Sequence, residues 1–287
     1  YRDLYKKPNR VPDPNIVDMA SLSIEEFLGE AANHPEVLKS KLNENEKNFL
    51  DRPLGIDELD FSVKKVKKNS APGGDGISNR FILKNWNLLR VPLFKYATTC
   101  FEKGTLTNNF RSANVRLIPK KGDCTKIKNW RPISLLNCFY KIISRALAER
   151  LKQVMDKITQ VGQKGYSSSK QCQEVLINII DSIHTCKSNG KTGALLSLDI
   201  RKAFDTISHD FLLKAYKFFN FGDYIIRWLQ VIGTNRRACI ILENGMYTKF
   251  FDLERGTVQG DTISPYIFNI GYQILLFKLN FDLQIEG

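Results

Sequence analysis

The chain has 287 residues, 43% of them apolar, so it can bury a sizeable core in one large or two small domains. Its 43 basic and 30 acidic residues leave a formal charge of +13, which favours a polyanionic partner, nucleic acid ahead of a membrane surface. No apolar run approaches the roughly 20 residues that span a bilayer. Six scattered cysteines without a C-x-x-C pair argue against a zinc centre or a disulfide scaffold and for reduced intracellular thiols. No secretory signal opens the chain, and Tyr1 stands first instead of Met, which reads as the interior of a longer protein.

Residues 1–54 are polar, with Pro8, Pro12 and Pro14 near the start, and read as a linker or N-terminal extension with loosely packed helices. Within it Ser23, with Glu26 three positions on, is an N-cap signature. From 55 to 68, Leu59, Val63 and Val66 recur at helical spacing, with Lys64, Lys65, Lys67 and Lys68 on the other face. Gly73-Gly74-Asp75-Gly76 follows. Glycines after lysines invite a phosphate loop, but no G-K-[S/T] follows, and the local reading is a plain turn. Residues 81–104 read as a helix with Leu88, Leu89, Leu93, Phe94 and Phe101 as core positions.

Val115 to Lys120 reads as a strand entering a turn, and Trp130-Arg131-Pro132-Ile133-Ser134 as a second strand. Arg116, Lys120, Lys121, Lys126, Lys128 and Arg131 gather cations on this small surface. Lysines also guard solvated edge strands. Arg131, however, has its backbone fixed between Trp130 and Pro132, and a guanidinium suits bidentate phosphate contact. Residues 137–157 are amphipathic, with Ile142, Ile143, Ala146, Leu147, Val154 and Met155 on the apolar face. A polar loop over 163–169, containing Gln163 and Gly165, precedes a helix over 175–183.

Gly190 and Gly193 then bound the run Ala194 to Leu198, which reads as a buried strand ending in Asp199. A carboxylate there persists when it binds a cation or is satisfied by a cap or an ion pair. Asp205, six positions on beside Phe204, reads as a helix cap. Helices follow over 209–220 and 223–232, and a hairpin turns at Asn244-Gly245. A glycine-bearing loop, Arg255-Gly256-Thr257-Val258-Gln259-Gly260-Asp261, leads into an apolar helix over 266–279; its glycines admit a close ligand and Gln259 can hydrogen-bond a base.

Taken together these blocks resemble the reverse transcriptases of non-LTR retrotransposons. Asp199, Lys202-Ala203-Phe204-Asp205, His209 and Leu212 match the pattern of motif A, and Arg255-Gly256 with Gln259-Gly260-Asp261 and Ser264-Pro265 that of motif B. Leu117-Ile118-Pro119-Lys120 and Asn129-Trp130-Arg131-Pro132-Ile133-Ser134 resemble motifs 1 and 2, and 72–76 the start of the fingers. Gly74 and Thr262 stand where the family usually has Pro, and Tyr166 where it has Phe.

The resemblance implies an α/β right-hand polymerase fold, with fingers and start of palm over 55–190 and an incomplete palm over 191–287, the thumb absent. It implies RNA-directed DNA synthesis, in which a primer 3′-hydroxyl attacks a dNTP with two divalent ions, Mg²⁺ or possible Mn²⁺, held by carboxylates. Asp199 would be catalytic and, with the Ile200 carbonyl, a metal ligand. Lys120 and Arg131 would hold the triphosphate, Phe204 would lie under the sugar, and Gln259 and Gly260 would line the nucleotide pocket. Gly73, Asp75, Gly76, Arg116, Gln163 and Gly165 would meet nucleic acid, and Asp205 would be structural. The implied partners are an RNA template, a DNA primer and the rest of a parent polyprotein, with no membrane, in a cytoplasmic ribonucleoprotein or the nucleus.

The chain contains no Asp-Asp pair, the family's source of further metal ligands, so the fragment alone is expected to be inactive. The alternatives are a non-catalytic RNA-binding remnant of a polymerase and a group II intron-type reverse transcriptase. Replacing Phe204 by Ala or Val in a complete enzyme should relax discrimination against ribonucleotides. Unchanged sugar selectivity, in a competition between rNTP and dNTP incorporation, would remove Phe204 from the site.

Overall fold

Side chains that satisfy the first free N–H groups set where the helices begin. In the computed structural model, which describes residues 2–7, 21–160, 163, 165, 172–195, 197–200, 202–242 and 245–281, Ser23 and Glu26 form a reciprocal capping box, as their spacing predicts. Asn43 and Glu46 form another, and the Asn137 carboxamide accepts the Phe139 N–H at 2.9 Å. The elements from the N-terminus are α1 (Arg2–Tyr5), α2 (Ile24–Leu28), α3 (Pro35–Lys39), α4 (Glu44–Leu50), α5 (Ile56–Lys64), α6 (Asn79–Lys84), α7 (Trp86–Lys103) and α8 (Asn108–Arg111). There follow β1 (Ser112–Pro119), β2 (Trp130–Leu135), α9 (Cys138–Ile158), α10 (Cys172–Ser188), α11 (Ala203–Thr206), α12 (His209–Phe218) and α13 (Asp223–Gly233). Strands β3 (Arg236–Ile240) and β4 (Phe251–Leu253) and helix α14 (Ser264–Phe281) complete them.

The four strands make one mixed sheet in the order β2-β1-β3-β4, with β1 antiparallel to β2 and parallel to β3, and β4 antiparallel to β3. The chain is thus mixed α/β. The β3–β4 hairpin lies where expected, although Asn244 at its tip falls outside the described residues, as do Pro8, Pro12, Pro14 and most of the 163–169 loop. Helix α9 is buried on more than the one face its periodicity predicts. It packs against α4, α5 and α14, and Tyr140, Ser144 and Arg150 are enclosed along with its apolar positions.

Three expectations change. The helix over 81–104 is two helices broken at Asn85, whose side-chain amide donates to the Phe81 carbonyl at 2.8 Å. Leu88, just past the break, is 77% exposed, while Leu93, Ala97 and Cys100 form the buried stripe. The N-terminal extension is also tighter than its composition implies, because Ile24, Leu28, Val37 and Leu50 join the core.

The third correction concerns 194–199, which is not a buried strand. Leu195 and Leu198 are 70% and 64% exposed. A strand exists only through lateral hydrogen bonds to a neighbour, and no described strand pairs with this segment. Helix α10 forms as expected but shares the exposure, and no described side chain between 172 and 200 enters the core.

One buried ion ties the N-terminal part to α9. The Arg150 side chain, 2% exposed, meets Glu58 at 2.5 Å and donates to the carbonyls of Leu50 at 3.0 Å and Pro53 at 2.9 Å. Burial pushes the Glu58 carboxyl up, but the bonds from Arg150 and the Gly55 N–H outweigh it and hold it below its usual range. Arg150→Met should cost about 3 kcal/mol of unfolding free energy, since it strands a half-buried carboxylate. A urea midpoint equal to that of the unmodified chain would show that the pair contributes nothing.

Candidate nucleotide and nucleic-acid site

Alternation along β1 and β2 decides which side chains share a face. The register sets Arg116 opposite Ile133 and Ile118 opposite Arg131, and the Lys120 N–H continues the ladder to the Asn129 carbonyl at 2.7 Å. Ala113 and Val115 point into the core. Asn114, Arg116, Ile118, Lys120 and Arg131 therefore belong to the opposite face. Arg116, Lys120 and Arg131 are exposed and have no side-chain partner among the described residues. Three exposed cations on one ribbon face, none in an ion pair with a described residue, make a phosphate-attracting surface.

Behind this ribbon, the Ser134 N–H of β2 donates to the Gln259 carbonyl at 3.0 Å. The glycine-bearing loop is thereby attached to the strand that carries Arg131. Its other side is fastened to the turn after Lys202. The Thr257 N–H donates to the Phe204 carbonyl at 2.6 Å, and the Gly256 N–H to the Ile207 carbonyl at 2.7 Å. The His209 ring meets the Gly256 carbonyl at 2.9 Å. Only glycine fits at 256, where φ is +86° and a Cβ would come within 2.5 Å of the Asp205 carbonyl oxygen.

Asp205 lies at the centre of this junction and is fully buried. Its carboxylate accepts the Tyr5 hydroxyl at 2.8 Å and the Gln259 side-chain N–H at 3.0 and 3.1 Å to its two oxygens. Burial raises its carboxyl above the usual range, against the pull of Tyr5, Lys202, Gln259 and Lys120. Phe204, half-buried beside it, stacks on Phe268 with ring centres 4.5 Å apart. Asp261, at the end of the loop, accepts the hydroxyls of Tyr140 and Ser144 on α9. The Arg236 guanidinium lies 4.4 Å from the centre of the Tyr140 ring.

The 73–76 turn docks nearby, on the N-terminus of α9. The Asp75 carboxylate accepts from the Asn137 amide, and a Cβ at Gly73 would meet the Asn137 backbone nitrogen at 2.6 Å. Gly165 is held from α14, with Asn269 donating to its carbonyl at 2.8 Å. The Gln163 side chain accepts the Gly165 N–H at 2.9 Å.

The sequence-derived residues thus fall into groups. Lys120, Arg131, Phe204, Gln259 and Gly260 are carried by β1, β2 and the junction fastened to them, Gly73, Asp75 and Gly76 by the α9 cap, and Gln163 and Gly165 by α14. Asp199 and Ile200 lie outside the four described strands, and Ile200 is 40% exposed. Among the described residues no three His, Cys, Asp or Glu side chains gather as a metal site. Sequence reasoning missed Tyr5, which carries no local signal, and the Asp261–Tyr140–Ser144 anchor, whose partners are 121 and 117 residues apart.

Comparison with known proteins identifies the family. A family-wide sequence profile described as Reverse transcriptase (RNA-dependent DNA polymerase) matches residues 118–285. The Transposon TX1 uncharacterized 149 kDa protein of Xenopus laevis is 31% identical over 83% of this chain and 18% of its own length. The Retrovirus-related Pol polyprotein from type-1 retrotransposable element R2 of Popillia japonica is 29% identical over 82% of this chain and 32% of its own length. The RNA-directed DNA polymerase from mobile element jockey of Drosophila melanogaster is 25% identical over 75% of this chain and 24% of its own length. The chain spans at most about a third of these relatives. With more than half of its length matched by that profile and these three relatives all coming from transposable elements, the chain belongs to the reverse transcriptase family.

Proposed function

We propose that this chain supplies the nucleotide-holding and template-guiding part, fingers over 55–190 and an incomplete palm over 191–287, of an RNA-directed DNA polymerase. Lys120 and Arg131 neutralise the triphosphate of an incoming dNTP, Phe204 lies under its sugar, and Gln259 with Gly260 lines its pocket. Arg116, Gly73, Asp75, Gly76, Gln163 and Gly165 guide an RNA template and a DNA primer. One observation carries this reading. The strand bearing Arg131 also holds the Gln259 backbone, and that loop is bonded in turn to the Phe204 backbone. Cations, aromatic and amide so share one rigid frame, which is what positioning of a substrate requires.

Oxygen donors at Asp199 and the Ile200 carbonyl suit a hard divalent ion such as Mg²⁺ or Mn²⁺. They do not complete a two-ion centre, since neither the described residues nor an Asp-Asp pair in the sequence joins them. Binding and orientation of the nucleotide and the strands are the contribution assigned to the described residues, among which no further carboxylate joins Asp199 in a metal cluster. Its working partners are the template, the primer, dNTP and the remainder of a parent polyprotein, inside the cell as a ribonucleoprotein in cytoplasm or nucleus. Among the described residues no helix is long and apolar enough to cross a membrane.

A non-catalytic RNA-binding remnant is the second reading, favoured by the exposed cations of the β1–β2 ribbon, which serve binding as well as synthesis. Primer extension by the 287-residue chain alone should be absent, and robust dNTP incorporation would refute the incomplete centre. The chain should nonetheless bind Mg²⁺–dTTP, and Lys120→Ala or Arg131→Ala should each weaken that binding about tenfold. Nucleotide binding indifferent to both substitutions, alongside salt-sensitive RNA binding, would leave only the remnant.

A further inference from the structure

Residues 2–7 lie more than 100 positions upstream of the profile-matched region, yet they are built into the junction that holds Gln259. The Tyr5 carbonyl accepts the Glu254 N–H at 3.0 Å, and the Leu4 carbonyl accepts from Arg255 Nε at 2.8 Å. The Lys7 N–H donates to Glu254 at 2.8 Å, and its ammonium reaches Asp210 at 3.0 Å. The Tyr5 ring, 8% exposed, stacks on Phe251. With the ring so placed, the hydroxyl donates to Asp205 Oδ1 at 2.8 Å.

We infer that Tyr5 is a positioning residue of the nucleotide pocket, whose hydroxyl fixes the Asp205 carboxylate that in turn sets which face of the Gln259 amide meets the ligand. The inference rests on the reading of Gln259 as a nucleotide contact. An ionised carboxylate only accepts hydrogen bonds. It therefore takes the Gln259 amide by Nε2 and turns Oε1 away from itself, so the pocket is offered an acceptor. Such a pocket favours a nucleotide group that donates. Without the Tyr5 hydroxyl, a fully buried oxygen loses a donor. Protonation of Asp205 then becomes easier, and a neutral carboxyl donates to the amide oxygen. The Gln259 amide turns over and offers N–H where it had offered C=O. Asp205 thus passes the presence of the N-terminal segment to the pocket through two hydrogen bonds.

The test uses the 287-residue chain, with Mg²⁺–dTTP titrated against backbone amide shifts in NMR spectra. Tyr5→Phe keeps the ring and should weaken binding roughly three- to tenfold. Gln259→Ala should weaken it too, and Tyr5→Phe should add nothing in the Gln259→Ala background. The Gln259 side-chain NH₂ resonances should shift in Tyr5→Phe before nucleotide is added, a change that simple loosening of the N-terminus would not produce. Tyr5→Phe binding within about twofold of the unmodified chain, or effects that add, overturns the role of Tyr5 while leaving the pocket intact. Failure of the unmodified chain to bind, or no effect of Gln259→Ala, overturns the pocket reading and this inference with it. If Tyr5→Phe does not fold, Asp205→Asn, which replaces one acceptor by a donor, must show the same coupling to Gln259→Ala.

Discussion

A single buried carboxylate holds together three parts of the chain that are remote in sequence. Asp205 meets Tyr5 from 200 residues upstream and Gln259 from 54 residues downstream. A fully enclosed negative charge is tolerated only when donors surround it, so the packing around Asp205 admits few alternatives. The backbone bonds from 256 and 257 to Ile207 and Phe204 make the same connection again in peptide groups. Side-chain and main-chain contacts agree there, which is how a loop acquires one conformation.

The β1–β2 ribbon adds charge to that frame by simple alternation. One face of β1 enters the core through Ala113 and Val115, so the other has to carry Arg116 and Lys120 into solvent. Arg131 joins them because the antiparallel register puts it opposite Ile118. The cations are thereby preorganised by the backbone, without ion pairs among the described residues that a phosphate would have to break.

Much of this was legible in the sequence for local reasons. Ser23 with Glu26 marks a helix start, and the periodicities near 59–66 and 137–157 mark helices, because caps and amphipathic stripes are properties of neighbouring residues. The β3–β4 hairpin is likewise a short-range feature. What escaped reading is non-local. Arg150 looks like a solvent-facing residue of an amphipathic helix, yet it satisfies carbonyls about 100 positions away. Asp205 reads as a cap and is a hub. Ala194 to Leu198 has the composition of a buried strand, but composition supplies no neighbour for it to pair with, and the segment lies exposed.

That exposed segment has a consequence for how the chain behaves in concentrated solution. Val175, Ile179 and Ile183 of α10 line a groove of about 530 Å³ with Ala194 and Leu195, while Leu176, Ile177 and Ile180 face outward, 63%, 55% and 64% exposed. Apolar surface of this extent on an otherwise basic protein sets two opposing intermolecular forces. Net positive charge keeps molecules apart at low ionic strength, where the Debye length is long. Added salt shortens that range and leaves the apolar patch to dominate. The same salt that screens the cations of the ribbon therefore leaves the apolar surface of α10 unscreened, so the two surfaces respond to ionic strength in opposite senses.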